Sequence, residues 1–147
     1  MPRYRSKLDA VIRQRRLREE EVQTEFLGMK NHLASEGDQL QRLHQELEEA
    51  LRDLTERQIN GMEMNEIDLY YRFMKRQNER LESQRKVIQR LTDECEAKRE
   101  ELSSAMREKK VVENIDATRE ESFDKEMKRK EQRLTDEIAG RPKRETP

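Results

Sequence analysis

The side chains that could support catalysis or bind a metal ion are few in this chain of 147 residues. His32 and His44 lie too far apart along one helix to share a metal ion, and neither has a cysteine or a second histidine nearby. The sequence contains no glycine-rich phosphate loop, no GxSxG and no HExxH. We therefore predict no catalytic residue, no metal site and no cofactor, and we expect that the protein is not an enzyme.

The composition limits the structures that could hold functional groups in place. Charged residues make up 44% of the chain, hydrophobic residues 31%, and there is no tryptophan. This is too little apolar material for a thick globular core, so only a narrow apolar seam can be buried. Disorder is the competing interpretation, but disordered chains lack the phased apolar residues found here. No stretch approaches the roughly 20 apolar residues of a membrane span, so we expect a cytosolic protein with no direct membrane insertion.

Apolar residues recur at alternating steps of four and three in both halves of the chain, which is the pattern of coiled-coil helices. The single cysteine, Cys95, falls on this repeat and excludes an internal disulfide, so we interpret it as a small buried hydrophobe. The predicted seam consists of Leu8, Ile12, Val22, Phe26, Met29, Leu33, Leu40, Leu43, Leu47, Leu54, Tyr70, Met74, Leu81, Ile88, Leu91, Cys95, Leu102, Ala105 and Val112.

The segment between the two repeats predicts a reversal of the chain. Gly61 is suited to ending a helix, and Asn65 to capping the start of the next. A reversal between Asn60 and Asn65 matches the seam of one half with the seam of the other, so we prefer an intramolecular hairpin to a parallel dimer of one continuous helix. The predicted fold is all-α: a long two-helix antiparallel coiled-coil hairpin whose second helix overhangs at its C-terminal end. We predict one domain over residues 1–147, with helix 1 at about 5–59, a turn at about 60–65, helix 2 at about 66–139 and a disordered tail at 140–147.

Two irregularities are expected near the termini. Arg15 falls opposite Lys109, a like-charge pair that should loosen this end unless Glu19 or Glu113 reaches in. Near Val112 the apolar residues leave the strict heptad positions, which indicates a stutter that unwinds the supercoil. The later apolar residues then have nothing in this chain to bury them. They predict either a partner surface or a frayed, solvated tail, and they are Ile115, Phe123, Met127, Leu134 and Ile138.

The first eighteen residues hold seven arginines and lysines against Asp9 alone, so this end of the protein is markedly positive. An anionic partner could bind there. Nucleic acid is one candidate, but the segment has few aromatic residues for base stacking and no recognisable DNA- or RNA-binding motif. We therefore predict no nucleic-acid partner.

Two segments, taken in order, resemble the flagellar export protein FliJ family. The first is YYRFMKRQNERLESQRKVI, in which Tyr70, Phe73, Leu81 and Ile88 stand at the family's helical spacing. The second is REKKVVENIDATREESFDKEMKRKEQRLTDEIAGR, which is similar to the family's closing helix. One departure is Gln77, which stands where the family usually has a large apolar residue, and this bears on the nearby contact surface.

The resemblance implies a non-catalytic component of the flagellar type III export apparatus, similar in fold to the γ stalk of F-type ATP synthases. Such a stalk would insert its terminal end into the hexameric export ATPase FliI, promote ring assembly and activity, contact the export gate protein FlhA and handle export chaperones. It would be cytoplasmic and peripherally associated with the inner membrane at the flagellar base. Two alternatives stay open: a purely structural coiled-coil scaffold, and the equivalent stalk of a non-flagellar secretion system.

Under this resemblance Phe73 is the expected contact with the export gate, unless its ring only caps the tip of the hairpin. The candidates for contact with the ATPase ring are chosen by their charge and by their position in the heptad repeat, and not by a family motif. These candidates are Arg13, Arg16, Arg18, Phe123, Met127, Lys128, Lys130, Arg133 and Leu134.

Overall fold

A computed structural model describes residues 2–141 of the chain. It contains two long helices, α1 (Asp9–Asn60) and α2 (Met64–Gly140), which pack against each other as a hairpin, and the described residues form no strand. The predicted fold class is therefore confirmed. Helix α2 has 77 residues and α1 has 52, so α2 is much the longer. Of the predicted tail, Gly140 is the last helical residue and Arg141 a bend, while residues 142–147 lie outside the described part of the chain.

The turn is shorter than the sequence predicted. Gly61 has a φ of 91°, a left-handed conformation that glycine adopts without the steric cost that a side chain would impose. The carbonyl oxygen of Glu63 accepts hydrogen bonds from the backbone N–H groups of Glu66 (3.1 Å) and Ile67 (3.2 Å). Glu63 thus precedes the first turn of α2, and Asn65 lies inside that turn instead of capping it.

Helix α1 begins at Asp9, a few residues later than expected. The Ser6 hydroxyl accepts a hydrogen bond of 3.1 Å from the backbone N–H of Leu8, and the Leu8 carbonyl accepts the first helical bond, from Ile12 at 2.8 Å. The bond from Leu8 to the Ser6 side chain two residues earlier forms a turn just before the helix, and Leu8 occupies the position that precedes its first residue. Residues 2–6 are therefore non-helical, which lets them contact α2 in a different way.

The helices divide into two compact units. One, the central unit, comprises residues 21–102, and the other, the terminal unit, comprises residues 1–20 and 103–147. In sequence, the terminal unit has 19 basic and 14 acidic residues, a net charge of +5, whereas the central unit has 13 basic and 19 acidic residues, a net charge of −6. The near-neutral total thus conceals two units of opposite charge.

The central unit has a narrow core, as expected for two paired helices. Every predicted seam residue within it is buried or half-buried. The most enclosed side chains are Val22, Leu81 and the polar Gln77, which is only 1% exposed. Lys98 of α2 forms an ion pair of 2.7 Å with Glu25 of α1 and another of 2.9 Å with Glu101, and its hydrogen bonds to Glu25 and then Glu101 raise its pKa.

In the terminal unit the expected like-charge conflict is resolved by carboxylates. Lys109 Nζ lies 2.5 Å from Glu19 Oε2, and Arg15 pairs with Glu108 at 2.5 Å instead of facing Lys109 unpaired. Although the Lys109–Glu19 contact is short, Glu19 Oε2 has no hydrogen-bond partner of good geometry, so we treat this contact as an attraction between charges. Both helices continue without a break through this region.

Candidate protein-contact sites

The N-terminal segment is attached to α2 in the terminal unit. Tyr4 and Ser6 both donate hydrogen bonds to the same oxygen of Asp116, at 2.8 Å and 2.5 Å, and the ring of Tyr4 lies 5.6 Å from that of Phe123. We call these four residues the strap contacts. The hydrogen bonds from Ser6 and then Tyr4 lower the pKa of Asp116, and the bond to Asp116 raises the pKa of Tyr4.

The strap contacts correct one expectation from the sequence. Phe123 was expected to have nothing in this chain to cover it, but the Tyr4 ring does so and leaves it half-buried. Ile115 is 45% exposed, as expected for an apolar residue off the heptad positions, whereas Asp116 stands at the next strict heptad position and is half-buried. A carboxylate is tolerated there because two hydroxyl groups satisfy it.

The end of α2 carries a shallow basic groove. Lys130 and Arg133, two of the predicted ring contacts, line it together with Lys125 and Arg129, which the sequence analysis missed. Lys125, Arg129 and Arg133 recur at steps of four residues, and Lys130 precedes Arg133 by three, so helical spacing could have indicated them. Lys128 and Leu134 are exposed nearby without lining this groove, and Met127 is half-buried.

The predicted ring contacts on α1 do not share one face. Arg13 and Arg16 are three residues apart and lie on the same side of the helix, but Arg18 projects about 140° away from Arg13. All three are exposed, and Arg16 forms an ion pair of 3.2 Å with Glu113 of α2. A single ligand that bound all three would therefore have to curve around the side of α1 that faces away from α2.

Phe73 lies in a groove near the turn, within the central unit. The groove has a volume of about 620 Å³, and Phe73 forms its wall with Leu69 and Ala50. Its remaining lining residues are Tyr70, Glu46, Glu49 and Asp53. Phe73 was predicted from the sequence but the carboxylates were not, because they come from α1 and only the pairing of the helices places them beside it.

The base of this groove is held by polar contacts. Tyr70 donates a hydrogen bond to Asp53, which raises the pKa of Tyr70, and Arg57 lies 3.6 Å from the same carboxylate and 5.8 Å from the centre of the Tyr70 ring. These contacts fix the aromatic ring next to Phe73. Two of the residues that line the groove, Tyr70 and Asp53, are therefore held by contacts within the hairpin.

Gln77 and Gln84 form two similar bridges from α2 to α1. Gln77 Nε2 donates to the Leu43 carbonyl at 3.0 Å and to Glu46 at 2.9 Å, and Gln84 Nε2 donates to the carbonyl and carboxylate of Glu36. Gln77 Oε1, however, is buried without a hydrogen-bond partner. The side chain of Gln77 thus lies in the seam, and its bond to Glu46 reaches a residue that also lines the groove beside Phe73.

The comparison with protein families gives one match, the model described as "Flagellar FliJ protein", over residues 4–144. This match covers nearly the whole chain. The chain belongs to the flagellar FliJ protein family. Its members are non-catalytic, flagellar export-related proteins. The searches of curated proteins and of solved structures found no match.

Two further observations concern residues 2–141. None of the helices described there is long and apolar enough to cross a membrane. No group of three or more His, Cys, Asp or Glu side chains in that range is arranged to hold a metal ion. The candidate sites among the described residues are the basic groove, the exposed arginines of α1 and the groove beside Phe73.

Proposed function

We propose that this protein is the central stalk of the flagellar export ATPase, and that its terminal unit enters the ring of FliI, promotes ring assembly and stimulates hydrolysis. Membership of the FliJ family supports this proposal. The net charge of +5 on the terminal unit, with exposed cations on both α1 and α2, is the observation that carries it. Cations on both helices and on more than one side of α1 suit a ligand that encloses the paired helices, as the pore of a ring would.

The ring contact can be tested by reversing charges on α1. In the variant Arg13→Glu, Arg16→Glu, Arg18→Glu, stimulation of purified export ATPase should require roughly tenfold more protein, because favourable charge pairs become repulsive. A matched control reverses three exposed arginines of the central unit, Arg42, Arg52 and Arg76. Circular dichroism should show the same helicity in both variants. Equal loss of stimulation in the two variants would show that stimulation depends on the net charge of the whole protein and not on the arginines of the terminal unit.

The basic groove of α2 allows an independent test of the same contact. Arg129→Glu and Arg133→Glu should weaken stimulation, and Leu134→Ala should do so if the exposed leucine packs against the pore. Ring formation can be followed by light scattering in the same samples. If all the α1 and α2 variants still gave full stimulation and ring assembly, the proposed ring contact would be wrong and the structural scaffold would be the remaining interpretation.

We propose in addition that the groove beside Phe73 is the contact with the export gate protein FlhA, which would hold the protein peripherally at the inner membrane of the flagellar base. The half-buried ring, and its place in a groove of the central unit, support this assignment. Handling of export chaperones is part of the proposal by family membership, and no residue of this chain is assigned to it.

Phe73→Ala separates gate binding from a structural role of the ring. On our proposal the variant melts like the parent protein but no longer binds purified FlhA. Tyr71→Ala is the matched control, since Tyr71 is an aromatic residue of the same helix that is 56% exposed and does not line the groove. A lower melting temperature with intact binding would mean that Phe73 only caps the turn end of the hairpin.

A further inference from the structure

The groove beside Phe73 combines an apolar wall with an acidic rim. Leu69 and Phe73 are four residues apart on α2 and therefore form one row, and Leu69 is 64% exposed. The described residues that line the groove include three carboxylates, those of Glu46, Glu49 and Asp53, and no lysine or arginine. Such a surface offers apolar contact along its length and negative charge along one edge.

The charge of this rim is only partly neutralised within the protein. Asp53 is paired with Arg57 at 3.6 Å. Glu46 accepts a hydrogen bond from Gln77, but that amide is neutral and leaves the charge of the carboxylate in place. Glu49 is exposed, and the central unit as a whole has six more acidic than basic residues. The groove therefore lies in a negative field, which attracts cations and repels phosphate groups.

We propose that the groove binds a basic amphipathic helix, whose apolar stripe packs on Leu69 and Phe73 while its lysines or arginines contact Glu46 and Glu49. The row formed by Leu69 and Phe73 matches the apolar spacing of a partner helix, the recognition mode in which a helix lies in a groove. The negative rim disfavours an anionic membrane surface or a nucleic acid at the same place. This inference rests on the proposed gate contact, because it specifies the chemistry of the segment that the gate protein would present.

The test uses the full chain and a synthetic probe. The probe is a labelled peptide of about 18 residues with leucine on one helical face and lysine on the other. Fluorescence anisotropy should show binding at least about tenfold tighter than that of a scrambled peptide of the same composition or of one with glutamate in place of lysine. Raising the salt concentration to about 0.5 M should weaken binding, because exposed charges are then screened.

Matched substitutions locate the peptide on the protein. Leu69→Ala and Glu49→Lys should each reduce the affinity about tenfold. The controls are Leu27→Ala, at a leucine of the central unit that is also about half exposed (51%), and Glu100→Lys, at another exposed glutamate of that unit, and both should bind like the parent. Equal binding of the glutamate peptide, or insensitivity to Leu69→Ala and Glu49→Lys, overturns the proposal.

The outcome is distinguishable from failure of the proposed gate contact. If the lysine peptide does not bind but Phe73→Ala still abolishes FlhA binding, the inference is wrong and the gate contact stands. If the peptide binds in the groove and FlhA binding does not depend on Phe73, the inference stands and the gate contact is wrong. Peptide binding and FlhA binding that are both lost in Leu69→Ala, and both kept in Leu27→Ala, support the two together.

Discussion

Replacing Gln77 by leucine should stabilise the protein, although the change removes two hydrogen bonds. Gln77 is 1% exposed, its Nε2 has two acceptors, and its Oε1 is buried without a donor. A buried polar atom without a partner costs about 1–3 kcal/mol. Leucine removes that cost and has a similar shape, so it fills the same space in the seam without a cavity.

The magnitude follows from the partners that remain. The two lost hydrogen bonds contribute about 1 kcal/mol each. Their acceptors are not left unsatisfied, because the Leu43 carbonyl keeps its helical bond and the exposed Glu46 returns to water. Burying a leucine side chain contributes about 2 kcal/mol. The free energy of unfolding should therefore rise by about 1–3 kcal/mol, and Tm by about 5 °C for a chain of this size.

Thermal and urea unfolding followed by circular dichroism measure this change, and Gln84→Leu is the matched control. Gln84 makes the same kind of bridge one heptad later but is only half-buried, so its replacement should change the stability much less. A fall in Tm for Gln77→Leu with little change for Gln84→Leu would refute the reasoning. It would mean that Oε1 has a partner in the folded protein, such as an enclosed water molecule.

Two further predictions concern the turn and the strap contacts. Gly61→Ala should lower the free energy of unfolding by about 1–2 kcal/mol, because alanine is strained at a φ of 91°. Gly28→Ala, at an open position inside α1, should raise the free energy of unfolding by about 1 kcal/mol. Urea unfolding of both variants measures this contrast. The strap contacts should persist at intermediate pH and open at both extremes. Because the pKa of Asp116 is lowered, its contribution to stability is present above the ordinary pKa of aspartate, about 3.9, and is lost as the pH falls through its pKa in the folded protein. Because the pKa of Tyr4 is raised, its contribution to stability is present below the ordinary pKa of tyrosine, about 10, and is lost as the pH rises through its pKa in the folded protein. The NMR signals of Phe123 and of residues 4–8 should report both transitions, and Tyr4→Phe should abolish only the alkaline one, so an alkaline transition that survives in Tyr4→Phe would contradict this assignment.

The fold was predictable because it depends on a repeated local signal. Apolar residues at heptad spacing indicate the helices, and a glycine in the right place indicates the reversal, as at Gly61. Heptad spacing also reaches Asp116, but the repeat could not predict that a carboxylate is accommodated at that position. Its accommodation depends on hydroxyl groups of Tyr4 and Ser6, which are more than 100 residues away in sequence and follow no periodic pattern. A carboxylate on a predicted seam looks like an interruption until its donors are known.

The candidate sites were predictable only in part for a related reason. Phe73 was found from its own helix, but the acidic rim beside it is contributed by the other helix. The side chains of one helix predict its buried face, whereas a groove between helices depends on which residues the pairing brings together. Charge was likewise misleading when counted over the whole chain, because the opposite charges of the two units cancel to −1.

Stability and partner binding can be separated in this hairpin because they involve different helical positions. Gln77 lies in the seam, where its effect is on the pairing of α1 with α2, whereas Phe73, four residues earlier, lies at the edge of the seam in an open groove. Gln77→Leu should thus raise Tm without changing FlhA binding, and Leu69→Ala should weaken that binding without changing Tm. If Gln77→Leu altered FlhA binding as well, the hydrogen bond from Gln77 to Glu46 would be needed to position the acidic residues of the groove. The binding surface would then depend on the seam.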